Sequence, residues 1–254
     1  MPVKLKAVSF DFWDTIVDDD SDEPKRKAQG LRTKPEERRH LLGRALNRHL
    51  DTPLDDVTAA FDAADAAFNK AWKEDAVTWP VAERIGVALK ELGRELPADE
   101  LDALARDLGR MEVMIPPDPV PGIAEALKAL SGRYKLSVVS DAIFTPAGGL
   151  REILDGHGLK SYFQAFAFSD EVGRSKPHRS MFETVAGELG VELAEMVHVG
   201  DRDLNDIKGP QALGMKAVLF TAARDADKDA TSADAICACH ADLPGIIDSL
   251  SGGA

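Results

Sequence analysis

Three short apolar runs in this 254-residue chain stop at a polar residue, in an order that few folds permit. Val8-Ser9-Phe10 runs into Asp11, Leu136-Ser137-Val138-Val139 into Ser140, and the run at 196–200 into Asp201. A carboxylate where a buried strand ends is costly unless it is paired or used. From Pro121 onward, strand-length runs alternate with helical periods. Helices are predicted at 121–131, 148–157, 178–190, 204–213 and 242–250, and strands at 134–139, 163–168, 196–200, 215–220 and 234–238. This alternation argues for βαβ units, an α/β fold with a doubly wound parallel sheet, and right-handed crossovers. Ligands in such sheets bind beyond the carboxyl ends of strands, which is where Asp11, Ser140 and Asp201 fall.

A different pattern fills the space between the first two runs. Residues 17–34 are polar, with Asp18-Asp19-Asp20 and Asp22-Glu23-Pro24, and read as a solvated connection. From Pro35 to Leu108 the spacing is helical: Leu41, Leu42, Ala45 and Leu46 form one stripe, and Val57, Phe61, Ala64 and Phe68 another. Further helices are expected at 81–92 and 98–110, with no strand signal between them. Four prolines within residues 116–121 then stiffen the chain and end the insert. The expected division is a core of 1–16 and 116–254 and a helical domain of 17–115.

Charge and composition exclude several functions. A formal net charge of −13 and a pI near 4.9 disfavour nucleic acid and anionic membranes as partners. An anionic substrate must then be drawn in by a local positive centre. No stretch approaches the apolar length of a membrane span, and Met1–Lys6 lacks the apolar core of a targeting segment. Cys237 and Cys239 are the only cysteines, one residue apart, which suits a reducing cytoplasm rather than a disulfide framework. With His240 they would still lack a second cluster of metal ligands. Nothing decides between monomer and homodimer.

The polar clusters carry chemistry together. Asp11, Asp201 and Asp206 are expected to converge, and two unit charges 4 Å apart repel by about 4 kcal/mol at an effective dielectric of 20. Lys176, before Pro177 and His178, offsets part of this and can bridge Asp11 to a substrate oxygen. A hard divalent cation resolves the rest, and Mg²⁺ suits few carboxylates plus substrate phosphate. Ser140, with the backbone N–H groups of Asp141 and Ala142, can donate to a phosphoryl or carboxylate oxygen. Asp11 is then a nucleophile candidate. His198, inside a predicted strand, reads as a core histidine. His178 reads mainly as a helix-start residue that can also touch substrate.

These clusters resemble the four motifs of the haloacid dehalogenase-like hydrolase superfamily. The first is similar to Asp11-Phe12-Trp13-Asp14-Thr15, the second to Ser140, the third to Lys176-Pro177, and the fourth to Gly200-Asp201-Arg202-Asp203-Leu204-Asn205-Asp206 followed by Gly209. The resemblance implies a Rossmann-like core with an inserted α-helical cap domain that opens and closes over it. It implies Asp11 as nucleophile and metal ligand, and Ser140 and Lys176 as binders of the transferring group. It further implies a Mg²⁺ site made by Asp11, the Trp13 carbonyl, Asp201 and Asp206, the last directly or through water.

Trp13 departs from that pattern. The family's phosphatases carry there a second aspartate, the general acid/base, and indole cannot replace it. Asp14, Asp18, Asp19 and His178 are the candidate substitutes. The expected activity is Mg²⁺-dependent hydrolysis of a small phosphorylated metabolite through an aspartyl-phosphate on Asp11. One alternative is metal-free cleavage of a carbon–halogen or other C–X bond, in a branch where an aromatic residue is usual at this position. The other is a weakly active or inactive phospho-ligand-binding protein.

Overall fold

The computed structural model describes residues 4–252. Among these, one parallel sheet has the strands β1 (Ala7–Phe10), β2 (Lys135–Ser140), β3 (Ala165–Phe168), β4 (Met196–Gly200), β5 (Lys216–Phe220) and β6 (Ala235–Cys237). Their spatial order is β3-β2-β1-β4-β5-β6, so the winding reverses direction between β1 and β4. Such a reversal leaves a crevice outside the carboxyl ends of the central strands. Every residue of β1 and β4 is buried, which explains why both read as near-continuous apolar runs. Ser9 and His198 are the polar exceptions. They are register partners across the β1–β4 pair and so lie on the same face of the sheet.

The chain divides into two compact units. The helical unit is Asp20–Pro116 together with Ala142–Ile153. It holds α1 (Asp22–Ala28), α2 (Lys34–Leu46), α3 (Leu54–Lys70), α4 (Val81–Glu91), α5 (Ala98–Gly109) and α6 (Met111–Met114). Thr33 and Glu36 form a reciprocal capping box that starts α2. Leu42, Ala45 and Leu46 of the first stripe and Val57, Phe61 and Ala64 of the second pack with Ile85, Leu89, Leu104 and Leu108 into one apolar cluster, joined by Phe144. Residues 142–153 therefore belong with the helices and not with the core, where the sequence placed them. Phe144 lies under the Arg38 and Arg84 guanidinium groups, 3.5 and 4.0 Å from its ring centre, and Thr145 hydrogen-bonds Glu112.

The expected solvated connection at 17–34 contains the helix α1 and buried charge. Lys34 Nζ donates to Asp22 Oδ1 at 2.8 Å, and Arg26 Nε to the Arg32 carbonyl at 2.8 Å. These pairings allow Asp22, Arg26 and Lys34 to be buried despite their polarity.

The sheet unit runs up to Asp19, then Pro117–Asp141, then from Leu154 onward. The outer ends of the expected core, residues 1–3 and 253–254, lie outside the described residues. Its helices are α7 (Ile123–Ser131), the last turn of α8 (Ala147–Gly156), which begins in the helical unit, α9 (Ser169–Val172), α10 (Arg179–Leu189), α11 (Gly209–Ala212) and α12 (Leu243–Leu250). Met181, Phe182, Val185 and Leu189 of α10 pack against Ala7, Val139, Ala167 and Met196 of the sheet. The helix expected at 204–213 is a wide π-helical turn, Asp203–Lys208, that passes into α11.

Candidate active site

The nucleophile candidate is held by the strand it ends. Asp11 N donates to the Val199 carbonyl at 2.8 Å, which continues the β1–β4 ladder by one residue. Its Oδ1 accepts from Phe12 N at 2.7 Å and from Lys176 Nζ at 2.8 Å. The Phe12 carbonyl then accepts from both Ile16 N and Val17 N, closing the following turn. Asp14 sits in that turn with φ of 53°, a left-handed conformation rare outside glycine.

Lys176 reaches this point because its backbone is anchored to the second motif. Its N–H donates to Asp141 Oδ1 at 2.9 Å, and its buried Nζ also donates to Asp206 Oδ1 at 2.6 Å. Burial opposes the ammonium charge, but Asp11, Asp206 and Asp141 outweigh it and hold the lysine pKa above its ordinary value.

Asp206 enters from the π-helical turn. Its Oδ1 accepts from Lys176 and from His198 Nε2 at 3.2 Å, and its Oδ2 from Arg202 N at 2.9 Å. Burial alone would raise its pKa; the lysine charge and the histidine hydrogen bond reverse that and hold it ionised. Gly200 makes the approach possible, because a Cβ there would stand 2.6 Å from the Asp206 Cβ.

Asp201 is different. Both its carboxylate oxygens are buried and lack a hydrogen-bond partner. The nearest cation is Arg224 Nη1, 3.5 Å from Oδ2, and it donates instead to the Asp201 backbone carbonyl and to Asp227 Oδ2, each at 2.8 Å. Burial, then the charges of Asp206 and Asp11, push the Asp201 carboxyl up to about 8. One oxygen from each of Asp11, Asp201 and Asp206 lies within 4.8 Å of the others. Ser140 ends β2 with its Oγ buried and lacking a hydrogen-bond partner. Buried polar atoms without partners are rare and costly. The two Asp201 oxygens, beside the carboxylates of Asp11 and Asp206, fit a hard, oxygen-seeking divalent cation.

The remaining predicted residues occupy defined places. The Trp13 indole N–H donates to the Asp141 carbonyl at 3.3 Å and its ring packs edge-on against Phe12. Asp14 Oδ1 accepts from Asp19 N at 3.2 Å, and burial raises its pKa. Asp141 spends Oδ1 on the Lys176 backbone. His178 caps α10, its Nδ1 accepting from Ser180 N at 3.3 Å.

Four contributors are not legible as site residues in the sequence. His198 touches Asp206 directly. Arg224 and Asp227 come from the loop at 221–233, which reads as acidic and solvated, yet Arg224 braces the Asp201 backbone and Asp227 accepts from Asp203 N at 3.2 Å. His240 Nε2 donates to the Thr15 carbonyl at 2.8 Å and its ring stacks on Phe220. A basic residue set in an acidic loop is the available signal for Arg224, which also pairs with Asp227 at 2.8 Å.

The family model described as haloacid dehalogenase-like hydrolase matches residues 5–214. The chain belongs to that hydrolase family. The probable phosphatase IndB of Dickeya dadantii is 34% identical over 102 residues, 40% of this chain and 43% of that protein. The chain thus spans less than half the length of that relative. A HAD phosphatase of Thermococcus onnurineus shares the fold at a TM-score of 0.65 and 24% identity, covering 96% of this chain and 98% of that one. A 2-haloacid dehalogenase of Pseudomonas syringae pv. Tomato DC3000 does so at 0.62 and 20%, covering 96% and 99%. The fold of this hydrolase is therefore shared by enzymes named for two different bonds. The choice between them rests on the site. No helix among the described residues is long and apolar enough to cross a membrane.

Proposed function

We propose that this haloacid dehalogenase-like hydrolase is a Mg²⁺-dependent phosphatase of a small, anionic phosphorylated metabolite. The observation that carries the reading is Asp201: a buried carboxylate with no hydrogen-bond donor, beside Asp206 and Asp11. Without a cation this cluster would repel an incoming carboxylate or phosphate, which argues against metal-free C–X cleavage despite the aromatic residue at Trp13. Asp11, Asp201, the Trp13 carbonyl and Asp206 would hold the ion. When bound it supplies positive charge that screens the acids and the phosphoryl oxygens.

Both hydrogen bonds to Asp11 fall on Oδ1. In this reading Oδ2 attacks phosphorus, the ester P–O bond breaks, and the leaving oxygen departs with the bonding pair. Lys176 and Ser140 donate to the phosphoryl oxygens, whose charge must be stabilised in the transition state. Water then attacks the aspartyl-phosphate, releasing inorganic phosphate and restoring Asp11. The Trp13 N–H is engaged by the Asp141 carbonyl, so it does not protonate the leaving group. The reading therefore favours esters with good leaving groups.

Turnover of p-nitrophenyl phosphate tests it. Mg²⁺ should restore activity lost to EDTA, and Asp11→Asn should abolish it. An Asp11→Asn variant as active as the parent rejects the reading. Release of halide from 2-haloacids in EDTA would transfer the assignment to C–X cleavage, and vanadate binding without turnover to a binding protein.

A further inference from the structure

His198 is completely buried in β4, and both its ring nitrogens have partners. Asp206 is ionised and can only accept, so Nε2 carries the proton and donates to Asp206 Oδ1 at 3.2 Å. Nδ1 is then an acceptor, and the hydroxyl of Ser9 is its donor at 2.8 Å. Ser9 stands opposite His198 in the β1–β4 register, two residues before Asp11. Phe182 packs edge-on against the imidazole, ring centres 5.2 Å apart. A directional chain results: Ser9 donates to His198, His198 to Asp206, and Lys176 to both Asp206 and Asp11.

The consequence lies in how Asp206 is oriented. Its Oδ1 receives two donors, Lys176 and His198, and its Oδ2 receives Arg202 N. With His198 removed, Oδ1 would hold only the flexible lysine. The carboxylate could then rotate to draw the ammonium away from Asp11.

We propose that His198, ordered by Ser9, is a positioning residue that locks the Asp206 carboxylate so that Lys176 is shared with Asp11 and the three acids keep the spacing that takes a divalent cation. The proposal rests on the metal-dependent reading above, but its test does not require turnover. Groups that orient metal-site ligands typically change metal affinity or activity by about 10- to 100-fold when lost.

Calorimetric titration of Mg²⁺ into the metal-stripped protein, with thermal melting beside it, compares wild type with His198→Leu, His198→Gln and Ser9→Ala. His198→Leu keeps the volume and removes the donor, and should weaken Mg²⁺ by about 10- to 100-fold. His198→Gln places an amide donor near the Nε2 position and should stay within about threefold of wild type. Ser9→Ala leaves the ring but frees its rotation, and should weaken Mg²⁺ by about three- to tenfold. It keeps the test decisive if His198→Leu does not fold. A merely structural histidine would lower the melting temperature and leave the affinity of the folded protein unchanged. Wild-type affinity in His198→Leu, or in Ser9→Ala, overturns the proposal. So does a Gln variant as weak as the Leu variant, since that outcome assigns the effect to packing. A wild type that binds no Mg²⁺ overturns it together with the phosphatase reading. A wild type that binds Mg²⁺ and hydrolyses no phosphate ester rejects that reading alone, and the affinities still decide the role of His198.

Discussion

Replacing Lys176 with methionine should be the most destabilising single change at the sheet edge, for a reason that can be worked from two distances. The ammonium lies 2.8 Å from Asp11 Oδ1 and 2.6 Å from Asp206 Oδ1, and is almost fully buried. At an effective dielectric of 20, each contact is worth about 6 kcal/mol before desolvation is subtracted. Removing one partner of a buried pair costs about 3–5 kcal/mol net, because the remaining charge is left uncompensated. At about 2–4 °C per kcal/mol for a chain near this size, the melting temperature of Lys176→Met should fall by about 6–20 °C. The gap should depend on pH. Without the lysine, Asp206 loses the charge that chiefly offsets its burial, and its folded-state pKa rises above the unfolded value. The folded variant then binds more protons, and its stability falls as pH rises. Melting with EDTA at about pH 5 and about pH 8 should therefore show a larger deficit at the higher pH. Added Mg²⁺ should recover part of it, by preferential binding to the folded state. A fall of less than about 3 °C at the higher pH would refute the electrostatic account of the cluster.

Asp201→Asn should have the opposite sign in metal-stripped protein. The folded carboxyl titrates at about 8 against an ordinary 3.8, so its stability penalty grows as pH rises through that window. Urea melts near neutral pH should show the variant more stable by about 1–4 kcal/mol, and EDTA-free assays should show it inactive; a destabilised variant contradicts the unpaired-acid picture. Trp13→Asp should raise turnover of alkyl phosphates more than that of p-nitrophenyl phosphate, within the about 10²–10⁴-fold range of general acid catalysis. An equal change on both substrates would remove position 13 from the leaving-group side. His240 is held down to about 4 by burial, against an ordinary 6.5, so stability that is complete above 6.5 is lost as pH falls toward 4. His240→Asn should flatten that loss, by about 1.4 kcal/mol per pH unit in urea titrations, and parallel profiles would refute it.

Asp11, Ser140, Asp201 and Asp206 are legible as candidates because each closes a local pattern, an apolar run or the first turn after one, and Lys176 because it precedes Pro177 at a helix start. Such signals need no knowledge of which strands are neighbours. His198 was not legible as part of the site, because its meaning depends on β4 lying beside β1 and on the register that sets Ser9 opposite it. Arg224 was hidden for the same reason, since a loop after β5 braces the residue after β4. The helix α1 was missed because composition counts Asp22 and Lys34 as two solvated charges, whereas the fold pairs them and buries both. Trp13 reads from sequence as a missing acid. The structure adds that its N–H is engaged by the Asp141 carbonyl.

Phe144 and Thr145 give the division of the chain a practical meaning. The backbone passes between the two units at 19–20, 116–117, 141–142 and 153–154. A chimera exchanging only the long insert would strand the ring beneath Arg38 and Arg84 and the hydroxyl bonded to Glu112. Anyone transplanting specificity between relatives must therefore move two segments of the gene, the second beginning directly after Asp141.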